Sequence, residues 1–212
     1  ARTPEKFLES GINVLLNTEV VNIDEKGCNI ETKDGRKFPY DFLVFATGTN
    51  AFVPPITGKD LPGVYALRNL EDAIQIKAWL RKNNAKRVII IGGGFIGLEM
   101  SEALHEMEIS TTIIHKDKLP ANRWDAQLAS MMLEELQSNK VEFVGNAEAR
   151  SIEKGQEALL KVSTDQGVWE GDMVLMAVGV RPNAALAKAA NVAFGKTCAI
   201  AVNLAQQTSL EN

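Results

Sequence analysis

The stretch Arg87-Val88-Ile89-Ile90-Ile91-Gly92-Gly93-Gly94-Phe95-Ile96-Gly97-Leu98-Glu99 decides the fold. Residues 88–91 are an apolar run, and such a run reads as a strand buried on both faces. Glycines at 92, 94 and 97 follow with the spacing G-x-G-x-x-G, and then a helical pattern begins. Gly92 permits a tight turn, Gly94 lets backbone N–H groups approach a pyrophosphate, and Gly97 lets the new helix pack close to the strand. The helix start faces the anion with its partial positive charge. Strand, glycine turn and helix in this order predict a dinucleotide site made of Gly92, Gly94 and Gly97 with the amides of Phe95 and Ile96. An ordinary Gly-rich strand-to-helix turn is the plainer alternative.

Around this centre lies a chain of 212 residues, room for one large or two small domains. Its 45% hydrophobic and 24% charged content is that of a globular protein. A net charge of −4 without a long basic run argues against nucleic acid as a partner. No apolar stretch reaches ~18 residues, so no membrane-spanning helix is predicted. The stretch Ala1-Arg2-Thr3-Pro4-Glu5-Lys6-Phe7 has no secretory h-region and no initiator Met, as expected of a processed or excised start. Two cysteines, Cys28 and Cys198, form no C-x-x-C and suggest a reducing, cytoplasmic setting.

Upstream, Thr3 and Pro4 open a short helix over 4–10. Strands are predicted at 12–16, 18–24 and 28–32. Asp34-Gly35 turns the chain into a return strand at 36–38, and a buried run at 42–45 ends in Ala46-Thr47-Gly48. Residues 70–82 have helical spacing and lead into the opening strand. Downstream, the glycine helix runs to about 107, and a strand covers 110–115. A helix follows over 126–139, then a strand at 141–144, short strands near 147–153, 157–164 and 167–170, and a buried strand at 173–178. Residues 184–190 look helical, and 198–203 is read as a returning strand.

Two stretches match each other, 17–50 and 146–183. Each is a hairpin-rich excursion with a turn (Asp34-Gly35; Asp165-Gln166-Gly167), then an acidic residue (Asp41; Asp172), then an apolar strand closed by Ala-x-Gly. The second copy is preceded by a strand–helix–strand unit bearing the glycine motif. The first is not, so the chain is expected to be an internal portion of a longer protein.

Ala46-Thr47-Gly48, the glycine motif ending in Leu98-Glu99, Ala177-Val178-Gly179-Val180-Arg181-Pro182-Asn183 and Gln207-Thr208-Ser209, in this order, resemble the FAD-dependent pyridine nucleotide-disulfide oxidoreductases. Arg2-Thr3-Pro4-Glu5-Lys6-Phe7, Leu67-Arg68-Asn69-Leu70-Glu71-Asp72-Ala73 and Ile114-His115-Lys116-Asp117-Lys118 resemble the single-cysteine branch of coenzyme A-disulfide reductases, persulfide reductases and NADH oxidases. The resemblance implies an α/β architecture of two related Rossmann-like, FAD/NAD(P)-binding domains, the first incomplete and interrupted by the second. It gives residues 1–65 and 186–212 to the partial FAD domain and 66–185 to the NAD(P)H domain. It also implies that the FAD phosphate loop, the redox cysteine and the Gly-Asp flavin motif lie outside 1–212. Neither Cys28 nor Cys198, both read in strands, matches the redox position.

The same resemblance assigns site residues. Phe95 stands where a ring sits beside flavin and nicotinamide; a core aromatic is the alternative. Gly179 matches a glycine against the nicotinamide, or is a plain turn. Val20 matches a residue meeting adenine, Thr47 and Gly48 a loop near the flavin, and Arg68 a flavin-contacting Arg, or an exposed one. Lys6 matches a coenzyme A-contacting Lys, or lies on a helix surface. Glu99 is read as a first-turn Glu favoured by the helix dipole. The strand end after the motif normally carries a carboxylate for the adenosine ribose. Here it carries His115 and Lys116, which do not repel a 2′-phosphate and favour NADPH or dual use. The alternative is that both face solvent and Asp117 serves the ribose.

These readings converge on part of a flavoprotein passing hydride from NAD(P)H to FAD and on to a disulfide or persulfide such as coenzyme A disulfide. Alternatives are an NADH oxidase or peroxidase using dioxygen, a reductase for a ferredoxin- or rubredoxin-type carrier, and a non-enzymatic dinucleotide sensor. A homodimer is implied for the full-length protein, and no activity is expected of 1–212 alone.

Overall fold

The structure is a computed structural model that describes residues 3–121 and 123–210. Arg2 of the Arg-Thr-Pro-Glu-Lys-Phe motif lies outside the described residues. The elements fall into two compact units, Thr49–Arg181 and a second made of Ala1–Gly48 with Pro182–Asn212. These joints differ from those read near 65 and 185, because residues 49–66 bond within the Thr49–Arg181 unit, as described below.

The second unit holds α1 (Pro4–Glu9), β1 (Val20–Asp24), β2 (Asn29–Thr32) and β3 (Lys37–Pro39). The Thr49–Arg181 unit follows with β4 (Thr49–Ala51), β5 (Val64–Ala66), α2 (Leu70–Lys82), β6 (Arg87–Ile91), α3 (Phe95–Glu106) and β7 (Ser110–Ile114). It continues through α4 (Ala126–Ser138), β8 (Glu142–Val144), β9 (Ala149–Lys154), β10 (Leu160–Thr164), β11 (Val168–Gly171) and β12 (Met173–Met176). Next come β13 (Val180–Pro182), at the joint, and α5 (Ala185–Ala189).

Strands β5-β12-β6-β7-β8 form a parallel sheet in that order. The period of two splits the apolar run of β6 between two cores. Val88 and Ile90 pack with Ile76 and Leu80 of α2, Leu104 of α3 and Leu136 of α4. Ile89 and Ile91 pack with Ile152 of β9 and Leu160 and Val162 of β10. The three helices thus cover one face, and the antiparallel β11-β10-β9 meander covers the other. Thr57 bridges Ser151 of that meander, and β5 pairs with β12, which ties residues 49–66 into this unit. Arg87 lies on the meander side of β6's start, where the Asp172 carboxylate accepts from the Lys86 and Arg87 amides at 2.8 and 3.0 Å.

The other unit is thinner. β1-β2-β3 is an antiparallel meander of the same kind as β9-β10-β11, which matches the repeat seen in the sequence. Its small core gathers Ala187, Ala190 and Val192 with Ile23, Phe45, Ile200 and Leu210. Three expected strands are not formed here. Residues 12–16 and 42–45 have no ladder, and 198–203 makes only the single bridge Phe194 to Ile200. An extended segment becomes a strand only when a neighbour takes its N–H and C=O groups, and no described strand pairs with these. Both cysteines correspondingly sit outside strands, Cys28 in the turn before β2 and Cys198 in a bend.

Candidate dinucleotide site

The glycine turn lies at the C-terminal end of β6. On one side the chain proceeds to β7 and β8; on the other side sits β12, reached last. That reversal is the switch point of an open parallel sheet, where the crevice beyond the strand ends receives ligands. The floor of the crevice is tight. Gly92 has φ +113°, and a Cβ there would lie 2.4 Å from the Ala177 carbonyl oxygen at the end of β12. A Cβ on Gly97 would lie 2.1 Å from the Gly92 oxygen, so α3 can start this close to β6 only with glycine. Gly94 is the opposite: a Cβ there meets nothing within 4 Å. Space is therefore open in front of Gly94, while its neighbours are packed.

Gly94 is also the N-cap of α3 and supplies no side-chain cap. The first amides of a helix have no helix-internal acceptor, so those of Phe95, Ile96 and Gly97 remain available to an anion. α2 and α4 differ, since Asn69 and Asp125 cap them by accepting from the Asp72 and Leu128 amides. Open space and uncapped amides fit a dinucleotide pyrophosphate. Ile96 packs against the helix-side core, whereas Phe95 is 50% exposed and rests on Trp124, ring centres 5.3 Å apart. Glu99 is exposed in the second turn of α3, not the first, so the helix-dipole account of it does not hold.

The loop is anchored from β7. Gly92 N–H donates to the Ile114 carbonyl at 2.8 Å, and Gly93 N–H donates to His115 Nδ1 at 3.1 Å. His115 is 8% exposed, and its ring lies against Phe143. It does not face solvent. Its Nε2 has no hydrogen-bond partner and lies 3.6 Å from Asp117 Oδ2, beyond hydrogen-bond reach. Burial lowers the His115 pKa below its ordinary value; Asp117 opposes this and Lys116 adds to it. Lys116 itself is exposed. On the other side of the crevice, Gly179 has φ +110° with open space around it, and its carbonyl accepts from the Phe52 amide at 2.9 Å. Arg68 Nη1 donates to Asn50 Oδ1 at 3.1 Å, which brings it to the same β4 segment.

The sequence from Thr3 onward matches the family described as Pyridine nucleotide-disulphide oxidoreductase over residues 3–212. The chain belongs to that family. Among this family's members it is similar to the NAD(P)H sulfur oxidoreductase (CoA-dependent) of Pyrococcus abyssi, 36% identical over 99% of this chain and 47% of the relative. It is also similar to the NADH oxidase of Methanocaldococcus jannaschii, 37% identical over 99% and 48%. The solved structure of a NAD-dependent persulfide reductase from A. fulgidus superimposes with a TM-score of 0.91 at 29% identity, over 99% of this chain and 39% of that one. The chain thus spans about half the length of the curated relatives it matches.

In the structure Gly92, Gly94, Phe95, Ile96, Gly97, His115 and Gly179 lie around one crevice. Of the remaining site residues, Val20, Thr47, Gly48 and Lys6 belong to the other unit. Val20 begins β1, opposite Thr32. Thr47 Oγ1 donates to the Asn183 carbonyl at 2.6 Å, and the Gly48 carbonyl accepts from the Asn183 amide at 3.0 Å. Lys6 is exposed on α1, none of whose residues is buried. Trp124 and the Gly93 amide were missed: Trp124 reaches Phe95 through a loop, and no residue pattern signals that contact. Among the described residues no three His, Cys, Asp or Glu side chains gather to hold a metal, and no helix is long and apolar enough to cross a membrane.

Proposed function

We propose that the Thr49–Arg181 unit binds NAD(P)H and that the other unit is part of an FAD-binding domain. The full-length protein would then be a flavoprotein oxidoreductase acting on a disulfide or persulfide such as coenzyme A disulfide. The observation that carries this is the open, uncapped start of α3 at the switch point of the sheet. In such a protein NAD(P)H would supply a hydride and FAD would take it up for delivery to the disulfide or persulfide. The residues in hand do the holding. Amides of 95–97 take the pyrophosphate, Phe95 and Gly179 border the nicotinamide end, and Lys116 offers charge to a 2′-phosphate. At position 115 itself an imidazole stands in place of the usual carboxylate, with the Asp117 carboxylate 3.6 Å from its Nε2, and on this reading NADPH or both cofactors are used. Thr47, Gly48, Val20 and Arg68 serve FAD, and Lys6 serves coenzyme A. The family resemblance supports a cytoplasmic homodimer with no nucleic acid or membrane partner. The similarity to an NADH oxidase keeps dioxygen as the second acceptor.

The test is anaerobic addition of NADPH or NADH to the FAD-loaded full-length protein. Loss of flavin absorbance, then its return with coenzyme A disulfide, is the expected result. Return only with dioxygen selects the oxidase, and no bleaching with either nucleotide overturns the proposal. A strong kcat/KM preference for NADH would remove the role given to Lys116.

A further inference from the structure

Among the described residues, His115 is a buried side chain at the crevice whose ring nitrogens the dinucleotide reading does not use. A carboxylate at this strand end is an acceptor at any ordinary pH. An imidazole is an acceptor at Nδ1 only while that nitrogen is unprotonated. Here Nδ1 takes the Gly93 amide at 3.1 Å, so the neutral ring carries its proton on Nε2. Gly93 lies close against both rings: a Cβ on it would lie 3.0 Å from Phe143 and 3.2 Å from the imidazole. The Gly93 carbonyl in turn accepts from Ala121. The middle residue of the glycine turn is thereby clamped to the ring.

We propose that His115 is a positioning residue: accepting the Gly93 amide at Nδ1, it fixes the Gly92–Gly94 turn for dinucleotide binding and makes that binding depend on a neutral imidazole. This rests on the dinucleotide reading above. Protonation would put a proton on Nδ1 facing the Gly93 N–H, two donors in contact, and the turn would have to shift. Few other charges face the ring. Asp117 lies 3.6 Å from Nε2, Lys116 is its neighbour, and β8 presents Phe143 while Glu142 of that strand bonds Thr112 and Trp169 instead. Burial lowers the His115 pKa, which keeps the clamp closed near neutrality and places its release on the acid side.

The experiment is calorimetric titration of the full-length protein with NAD+, which is stable in acid and carries no group titrating between neutrality and mild acid. Loss of one buried hydrogen bond predicts a Kd for NAD+ that weakens as pH falls, by about five- to tenfold once the imidazole is protonated. The His115→Asn variant can offer a side-chain oxygen to Gly93 but does not titrate. It is expected to bind at pH 7.5 within about threefold of the parent, with a flat profile. Independently of any variant's folding, 15N-labelled histidine should show the His115 ring with its proton on Nε2 at pH 7.5. The same acid loss in His115→Asn as in the parent, a flat parent profile, or a proton on Nδ1 would each overturn the proposal. Absence of NAD+ binding at every pH would instead sink the dinucleotide reading, and this inference with it.

Discussion

β12 and residues 42–45 occupy the same place in the two copies of the repeat. Each is an apolar run after a three-stranded meander, and each ends in Ala-x-Gly. β12 is sandwiched between β5 and β6, and Met173, Val174 and Leu175 are all 0% exposed. In residues 42–45 the chain alternates: Phe45 packs on the small core with Ala187, while Phe42 and Val44 stand 83% and 81% exposed. Composition alone therefore does not make a central strand. Strands on both sides satisfy the backbone, and layers on both faces remove the side chains from water.

Substitutions can break that comparison. Leu175→Ala removes buried volume from the helix-side core and is expected to cost about 2–5 kcal/mol, whereas Val44→Ala stays within ~0.5 kcal/mol. Urea unfolding of the 212-residue chain, followed by circular dichroism, measures both. Equal losses would mean that residues 42–45 are paired and buried after all. The next effect is smaller and lies inside the β12-bearing unit. Gly97→Ala forces a methyl against the Gly92 carbonyl and should cost about 1–3 kcal/mol. Gly94→Ala has open space and an ordinary φ of −85°, so its stability should change by no more than ~0.5 kcal/mol while dinucleotide affinity falls. Thermal melts with nucleotide titrations separate the two, and a Gly94→Ala variant binding as tightly as the parent would remove Gly94 from the site.

The smallest expected effect concerns the meander under β12. The Glu170 carboxylate accepts from the amides of Gln156, Glu157 and Ala158, and these hold its pKa below the ordinary carboxylate value. A carboxylate with a lowered folded pKa contributes stability that is fully present above its ordinary value and is lost as pH falls through the lowered one. Parent and Glu170→Gln should therefore differ in urea midpoint at pH 7 and converge in acid. A gap that widens as pH falls would show that the three amides do not stabilise the charged form.

The sequence made the parallel sheet legible because β6 and the glycine turn carry their information locally: an apolar run, three glycines and a helix. The limits of α2 are legible in the helical spacing of its apolar residues, and the structure adds a capping box of Asn69 and Asp72 at its start. Residues 12–16, 42–45 and 198–203 were misread for a common reason, as their pattern says extended but their partners are a matter of tertiary context. At the site, Gly97 and Gly92 were readable from spacing. The burial of His115 was not, because a polar residue at a strand end reads as exposed until the Gly93 amide and Phe143 are seen around it. Glu99 was misplaced by one helical turn because α3 starts at Phe95, directly after Gly94.

The bare start of α3 carries one more consequence. α2 and α4 close their own ends with Asn69 and Asp125, so their first turns are complete in the free protein. α3 has no such side-chain cap. On the proposed reading, a nucleotide phosphate seated there would finish the helix, and the folded state would deepen with occupancy, by about 2.7 kcal/mol at a hundredfold excess over Kd. The protein's resistance to unfolding would then report how much reducing cofactor surrounds it, with the amides of Phe95, Ile96 and Gly97 as the most responsive reporters in hydrogen exchange.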